Sequence, residues 1–356
     1  MDNLRFQRTP DTISAAQACI RHIERGYTER DGAPGSPLGT AVDILKRLET
    51  GSSTRGQYGL INDRISDQLS TTAISAWPLW FSEQSRAAER PLFYMTQSPT
   101  SAQMSMLTAQ VAERGIILND IESSRSRWAK GAHPWLPLWL ASNRRCIPFD
   151  PACGDEVKAI WVGALQELYV EGAPGFCYMT LHDEPGEGRV CDRSQAYLGM
   201  YRLSEGVEEE VSVRLLGAGS MLREVCAAAE LLRAEWGVKA EVWSCPSYTR
   251  LARDAERRAR LQRLRREENL SNCHLQLCLG TADTPVIAVT GYDEFVAAQL
   301  AAHVTAPFTA LGADSLEPSQ RLNRHWVVLT ALRALVGRGV ADSSWVSGAV
   351  RRYRLD

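Results

Sequence analysis

The sequence holds no long apolar run, no close cysteine pair and almost no net charge, and each shortage excludes a class of protein. No stretch approaches the roughly 18 apolar residues that a membrane-crossing helix needs. The opening residues Met1-Asp2-Asn3-Leu4-Arg5 lack the basic-then-apolar order of a secretion signal. Nine cysteines are scattered as Cys19, Cys146, Cys153, Cys177, Cys191, Cys226, Cys245, Cys273 and Cys278. None forms the Cys-x-x-Cys pair of a zinc site, and an odd number argues against a disulfide framework. Buried thiols in a reducing cytoplasm are the expectation. With 40 basic and 42 acidic residues the formal charge is −2, which offers no global attraction to nucleic acid or anionic membrane.

What remains is an ordinary water-soluble composition, 44% apolar and 23% charged over 356 residues, enough chain for two cores. A helical pattern around residues 13–23 precedes the Gly/Pro/Ser-rich linker Gly32-Ala33-Pro34-Gly35-Ser36-Pro37, and Val42, Leu45 and Leu48 mark a short amphipathic helix. Leu92-Phe93-Tyr94-Met95, Ile116-Ile117-Leu118, Cys146-Ile147-Pro148-Phe149 and residues 176–181 read as buried strands, with helices near 101–113 and 155–169. Strands separated by helices imply parallel sheets covered on both faces. The acidic run at 205–210 marks a boundary, after which the alternation restarts with strands at 211–216, 240–244, 286–290 and 308–311. Gly217-Ala218-Gly219-Ser220 reads as a tight turn with Ser220 as N-cap, and further helices are expected at 294–303 and 325–338.

The stretch from Val213 through Leu216-Gly217-Ala218-Gly219-Ser220 to Trp236-Gly237-Val238, together with Glu241-Val242-Trp243-Ser244-Cys245-Pro246-Ser247-Tyr248, resembles the start of the C-terminal domain of the single-chain bacterial pyruvate dehydrogenase decarboxylating subunit. The resemblance resumes at Pro285–Tyr292 and Leu311-Gly312-Ala313-Asp314. Upstream, Cys146-Ile147-Pro148-Phe149-Asp150-Pro151 with Glu156-Val157 is similar to the end of that family's pyrimidine-binding domain. The likeness is strong from about 140 to 314 and faint from 40 to 140. It implies an α/β chain of two mainly parallel sheets: an extension at 1–39, a transketolase-like pyrimidine-binding domain at 40–204, and a transketolase C-terminal domain at 205–356.

In that family thiamine diphosphate lies between two domains. One holds the diphosphate through magnesium with a Gly-Asp-Gly motif, and the other grips the aminopyrimidine and carries an acid that protonates its ring nitrogen. The present sequence contains no Gly-Asp-Gly. The resemblance therefore implies a subunit like the β chain of two-chain members, paired with a separate α-like, diphosphate-binding subunit in a heterodimer or heterotetramer. Ile65-Ser66-Asp67 occupies the place of the acid, one methylene shorter than usual, although a polar residue near a helix start would look the same. His133 stands where the family has a histidine-rich loop, as a substrate-facing imidazole or a structural one; Arg125, Arg127 and Lys130 beside it could counter an anionic substrate. Gln97–Gln103 replaces the aromatic pyrimidine-stacking segment, leaving Gln103 as a cofactor contact, and Met104 stands where an arginine faces substrate.

The implied reaction is transfer of a two-carbon ketol or acyl unit in specialised biosynthesis, and the eroded motifs leave a non-catalytic docking subunit as the alternative. Trp128, Trp135 and Trp139 with Pro134 and Pro137 suggest an aromatic-packed loop that could anchor the partner subunit. The arginine-rich run at 250–268 reads as a helix with one basic face, solvated or docked on an acidic carrier protein.

Overall fold

The computed structural model describes residues 8–25, 35–62, 89–110, 113–122, 135–186, 190–203, 211–265 and 272–355. It divides into two units, Met1–Gly188 and Arg189–Asp356. The division falls ahead of the acidic run at 205–210, because Tyr201–Arg202 already pairs within the second sheet.

The first unit is built on a five-stranded, all-parallel sheet. Its strands are β1 (Gly59–Asn62), β2 (Leu92–Gln97), β3 (Arg114–Asp120), β4 (Cys146–Phe149) and β5 (Gly175–Leu181), in the order β1-β2-β3-β5-β4. β3 and β5 are buried along their whole length. Ile116-Ile117-Leu118 and Phe176-Cys177-Tyr178-Met179 accordingly read as continuous apolar runs rather than as alternating ones. Helices α1 (Pro10–Arg25), α2 (Pro37–Thr50), α3 (Ser101–Gln110), α4 (Trp135–Ser142) and α5 (Gly154–Leu165) belong to this unit. α1 and α2 pack on α5. Gly154 permits the close approach of α2, since a Cβ there would overlap the Thr40 hydroxyl, and its N–H donates to the Gly35 carbonyl at 2.7 Å. Trp161 of α5 is fully buried and meets the Phe93 ring edge-on at 5.2 Å.

At the amino ends of β2 and β3 lies a polar brace. Arg114 Nη1 donates to Glu89 Oε2 at 2.5 Å, with both side chains nearly sealed from water, while its Nη2 donates to the Gly172 carbonyl and its Nε to the Ala173 carbonyl. Burial raises the Glu89 carboxyl, opposed by the adjacent guanidinium. Tyr169 ends a π-helical turn, Gln166–Val170, that continues α5; its hydroxyl accepts from the Leu92 N–H at 2.9 Å and donates to the Arg114 carbonyl at 3.2 Å.

The second unit carries β6 (Tyr201–Arg202), β7 (Val213–Gly217), β8 (Ala240–Ser244), β9 (Val286–Val289) and β10 (Phe308–Leu311) in the order β10-β9-β7-β8-β6, with only β6 antiparallel. Its helices are α6 (Arg193–Ala196), α7 (Met221–Trp236), α8 (Tyr248–Arg265), α9 (His274–Leu279), α10 (Phe295–Ala298), α11 (Arg324–Gly337) and α12 (Ser344–Tyr353). One core joins Trp243, Tyr248, Leu251, Leu275 and Leu300; the other joins Val225, Leu232, Val327, Leu332 and Ala349. Glu241 is the polar hub of this sheet. Its carboxylate accepts from Arg214 Nε at 3.0 Å, Arg202 Nη1 at 3.2 Å and Trp243 Nε1 at 3.0 Å.

Several expectations shift. Ser220 precedes α7 as expected, but its side chain makes no capping bond and its backbone is already helical. The aromatic loop expected up to Trp139 is helical from Trp135 onward. Pro137 suggested a loop, yet it is the third residue of α4, where the missing N–H would have had no intrahelical partner. α12 carried no recognised sequence signal.

Candidate active site

In open parallel sheets ligands bind outside the carboxyl ends of the strands, and the first unit gathers its polar side chains there. β2 ends at Gln97, and Ser98 follows with φ 42, a left-handed backbone uncommon outside glycine. The Ser98 N–H donates to Asn119 Oδ1 at 2.8 Å, and Asn119 Nδ2 donates to the Tyr178 hydroxyl at 2.7 Å. Asn119 and Tyr178 are completely buried, so this chain of bonds fixes the strained turn from the carboxyl ends of β2, β3 and β5. Ser98 Oγ is buried and has no hydrogen-bond partner among the described residues, so a polar ligand atom would complete it.

Next to it, Asp120 closes β3, its Oδ1 accepting the Glu122 N–H at 3.0 Å. After β5, His182 is buried with Nε2 at 3.1 Å from the Pro151 carbonyl. A carbonyl only accepts, so Nε2 carries the proton in that contact. The turn it braces is closed by Glu156, whose Oε2 accepts the Ala152 N–H at 2.6 Å. Burial, and then the Glu156 charge, push the adjacent Cys153 thiol up to about 12. It is no nucleophile near neutral pH.

Of the three residues expected to act on cofactor or substrate, Asp67, His133 and Gln103, Gln103 alone lies among the described residues. It sits at the third position of α3, where its Oε1 accepts from the Thr100 N–H at 2.8 Å and the Thr100 hydroxyl at 3.1 Å, while its own N–H donates to Thr100 Oγ1 at 3.2 Å. This is a reciprocal capping box, and Thr-Ser-Ala-Gln was its sequence signal. Met104 is fully buried rather than facing a cleft. Asp67 and His133 lie outside the described residues, as do Arg125, Arg127, Trp128 and Lys130. Ser98, Asn119, Asp120 and His182 were missed; buried polar residues closing apolar strands were the available signal.

Two other arrangements bring titratable side chains together. In the second unit His274 Nε2 lies 2.8 Å from the Met200 carbonyl and 3.5 Å from Cys278 Sγ. Burial, with the nearby Cys273, raises that thiol to about 11, so it stays protonated. The Glu89–Arg114 pair lies at the amino edge, away from the ligand side, and reads as a brace. Among the described residues no His/Cys/Asp/Glu cluster is arranged to hold a metal, and no helix is long and apolar enough to cross a membrane.

Comparison with known proteins adds a family. Residues 199–319 match the transketolase-like C-terminal domain family. The chain is 33% identical over 233 residues to the pyruvate dehydrogenase E1 component of Cupriavidus necator, covering 62% of this chain and 26% of that protein. It is 34% identical over 234 residues to the pyruvate dehydrogenase E1 component of Pseudomonas aeruginosa, again covering 62% and 26%. The chain thus spans about a quarter of the length of these relatives. Transketolase from Leishmania mexicana shares the fold, with a TM-score of 0.60 at 14% identity over 92% of this chain and 50% of that one. Residues 199–319 thus carry a transketolase-like C-terminal domain, the chain is similar to pyruvate dehydrogenase E1 components over 62% of its length, and its two parallel α/β units share the fold of transketolase.

Proposed function

We propose that the chain is the pyrimidine-side subunit of a split thiamine-diphosphate enzyme that transfers a two-carbon ketol or acyl unit in a specialised cytoplasmic biosynthesis. The observation that carries this reading is a pairing. The chain has both units and the family's C-terminal domain, yet its 356 residues contain no Gly-Asp-Gly. Ligands for the diphosphate and for magnesium must then come from outside these residues, and a separate α-like subunit in a heterodimer or heterotetramer is the proposed source. The buried, unpartnered Ser98 hydroxyl at the carboxyl edge of the first sheet supports a polar ligand there.

Bound thiamine diphosphate supplies a carbon nucleophile able to attack a ketone. The chain's own residues hold and move protons around it. Asp67 keeps a proton on the pyrimidine ring nitrogen, and His133 gives or takes a proton at the substrate oxygen, suited by an imidazole pKa near neutrality. Gln103, with its Oε1 engaged by Thr100, presents only its Nε2 end to the pyrimidine. Asn119 positions the Ser98 turn without reaching the cofactor. Burial of Met104 leaves no cation at that position for a substrate carboxylate, which favours a ketose over pyruvate as donor.

The test is co-expression with a diphosphate-binding subunit, measuring bound cofactor and turnover. Cofactor retained only by the pair, with Asp67→Ala lowering turnover by about 10² or more, is the expected result. Full cofactor binding by this chain alone would sink the split-site reading. A cofactor-loaded complex indifferent to Asp67→Ala would remove that acid from the mechanism.

A further inference from the structure

The second unit carries a charge concentration that cofactor chemistry does not use. α8 holds seven arginines against Asp254 and Glu256. Its first half is anchored. Leu251, Ala252 and Ala255 are buried, Arg250 lies over the Tyr197 ring at 4.1 Å, and Arg258 is 3.9 Å from Asp254. Arg257, Arg260 and Leu264, at i, i+3 and i+7, share the face opposite Leu251 and Ala255. All three are exposed, Leu264 to 74%, with exposed Arg263 beside them and half-buried Leu261 on the same side. Arg257, Arg260 and Arg263 have no hydrogen bond or ion pair among the described residues.

Leu264 adds an exposed apolar side chain to this row of arginines. We propose that the Arg257–Arg260–Arg263–Leu264 face docks an acidic amphipathic helix of a partner protein. The partner's carboxylates pair with the three guanidinium groups, and an apolar side chain covers Leu264. Charge complementarity selects this occupant. The arginines repeat every three residues, a rise of about 4.5 Å along the axis, which matches carboxylates spaced one turn apart on a second helix. Nucleic acid fits less well, because the whole chain is slightly negative and a phosphate backbone gives Leu264 nothing to bury against. Exposed ion pairs are each worth only about two- to fivefold in affinity, so this contact is weak, fast and salt-sensitive. The proposal does not depend on the split-site reading, since α8 carries none of its residues.

The experiment uses the full chain and a labelled helical peptide of about 16 residues bearing glutamates around a leucine stripe, followed by fluorescence anisotropy at low and moderate salt. Saturable binding that weakens with salt is expected. R257E/R260E/R263E should weaken it by at least about tenfold, and the milder R257Q/R260Q/R263Q by an intermediate amount. Unchanged circular dichroism melts would confirm that both variants fold. The proposal is overturned if the triple reversal binds as well as the native chain, if a peptide with glutamine for glutamate binds equally, if a DNA duplex competes more strongly than the peptide, or if the native chain self-associates through this face.

Discussion

At the scale of single residues, the strongest polar commitments are structural and sit away from the ligand edge. Arg114→Ala would leave the Glu89 carboxylate buried without its partner and release the Gly172 and Ala173 carbonyls. Loss of about 3–5 kcal/mol in chemical denaturation is expected. Glu224 provides a pH signature. It accepts from Arg324 Nη2 at 2.8 Å, from Nε at 2.9 Å and from the Arg324 N–H at 2.9 Å, and those bonds hold its carboxyl below the usual range. A carboxyl lowered in the fold stabilises above its unfolded pKa, near 4.3, and loses that contribution as pH falls through the folded value. Glu224→Gln should therefore cost about 1 kcal/mol near neutral pH, a figure reduced for solvent screening at this half-exposed pair. The cost should vanish in acid, which urea titrations at several pH values would show. The cysteines are thiols as anticipated, eight of the nine buried. Cys19 and Cys153 are raised to about 12 and Cys278 to about 11, so labelling of these three by a thiol reagent at pH 8 should be slow until the protein is unfolded.

At the scale of elements, the start of α3 separates two roles that sequence alone merged. Gln103→Ala removes half of a capping box and should cost about 1 kcal/mol. Gln103→Glu keeps the acceptor that Thr100 uses and should be close to neutral for stability. If Gln103 also meets the pyrimidine, both variants weaken cofactor retention in the assembled enzyme, because both alter the Nε2 end. If retention follows stability alone, Gln103 is only a cap. α4 is a different case. It buries Leu136, Pro137 and Leu140 but leaves Trp135 and Leu138 exposed, at 63% and 48%. An amphipathic pattern would have put polar residues there. The helix is apolar on both sides, so an exposed tryptophan remains where a partner subunit could cover it. Trp135→Ala should weaken the proposed heteromer, read by mass photometry of the co-expressed pair, with little change in the stability of this chain.

At the scale of the whole molecule, chemistry and docking are argued from separate surfaces. At the carboxyl edge of the first sheet, buried Asn119 and His182 and the backbone of Ser98 are held by hydrogen bonds as a preorganised platform. The basic face of α8 in the second unit is left without counter-charges among the described residues. On the proposed split-site reading, isolated chain titrated with thiamine diphosphate and magnesium in a calorimeter should show no low-micromolar binding, because its sequence holds no Gly-Asp-Gly.

The sequence by itself determined the elements whose signal is local. Apolar runs such as Ile116-Ile117-Leu118 and Val286-Ile287-Ala288-Val289 became interior parallel strands because a fully covered strand cannot alternate with polar residues. The strand expected at 240–244 is β8, Ala240–Ser244. The Gly217-Ala218-Gly219 turn and the family resemblance were likewise legible in consecutive residues. Only the tertiary structure decided what depends on distant partners. The acidic run at 205–210 marked a change in composition, but β6 joins the second sheet ahead of it because Tyr201 pairs with Ser244. The family resemblance implies Gln103 as a cofactor contact, whereas the structure shows it as a helix cap bonded to Thr100. Ser98, Asn119 and Tyr178 are a platform only because parallel pairing brings the carboxyl ends of β2, β3 and β5 together. A serine after a strand and an asparagine near the end of another carry no local mark of that meeting. Sequence patterning reports burial and period, whereas a site is made by which strand ends the sheet order places side by side.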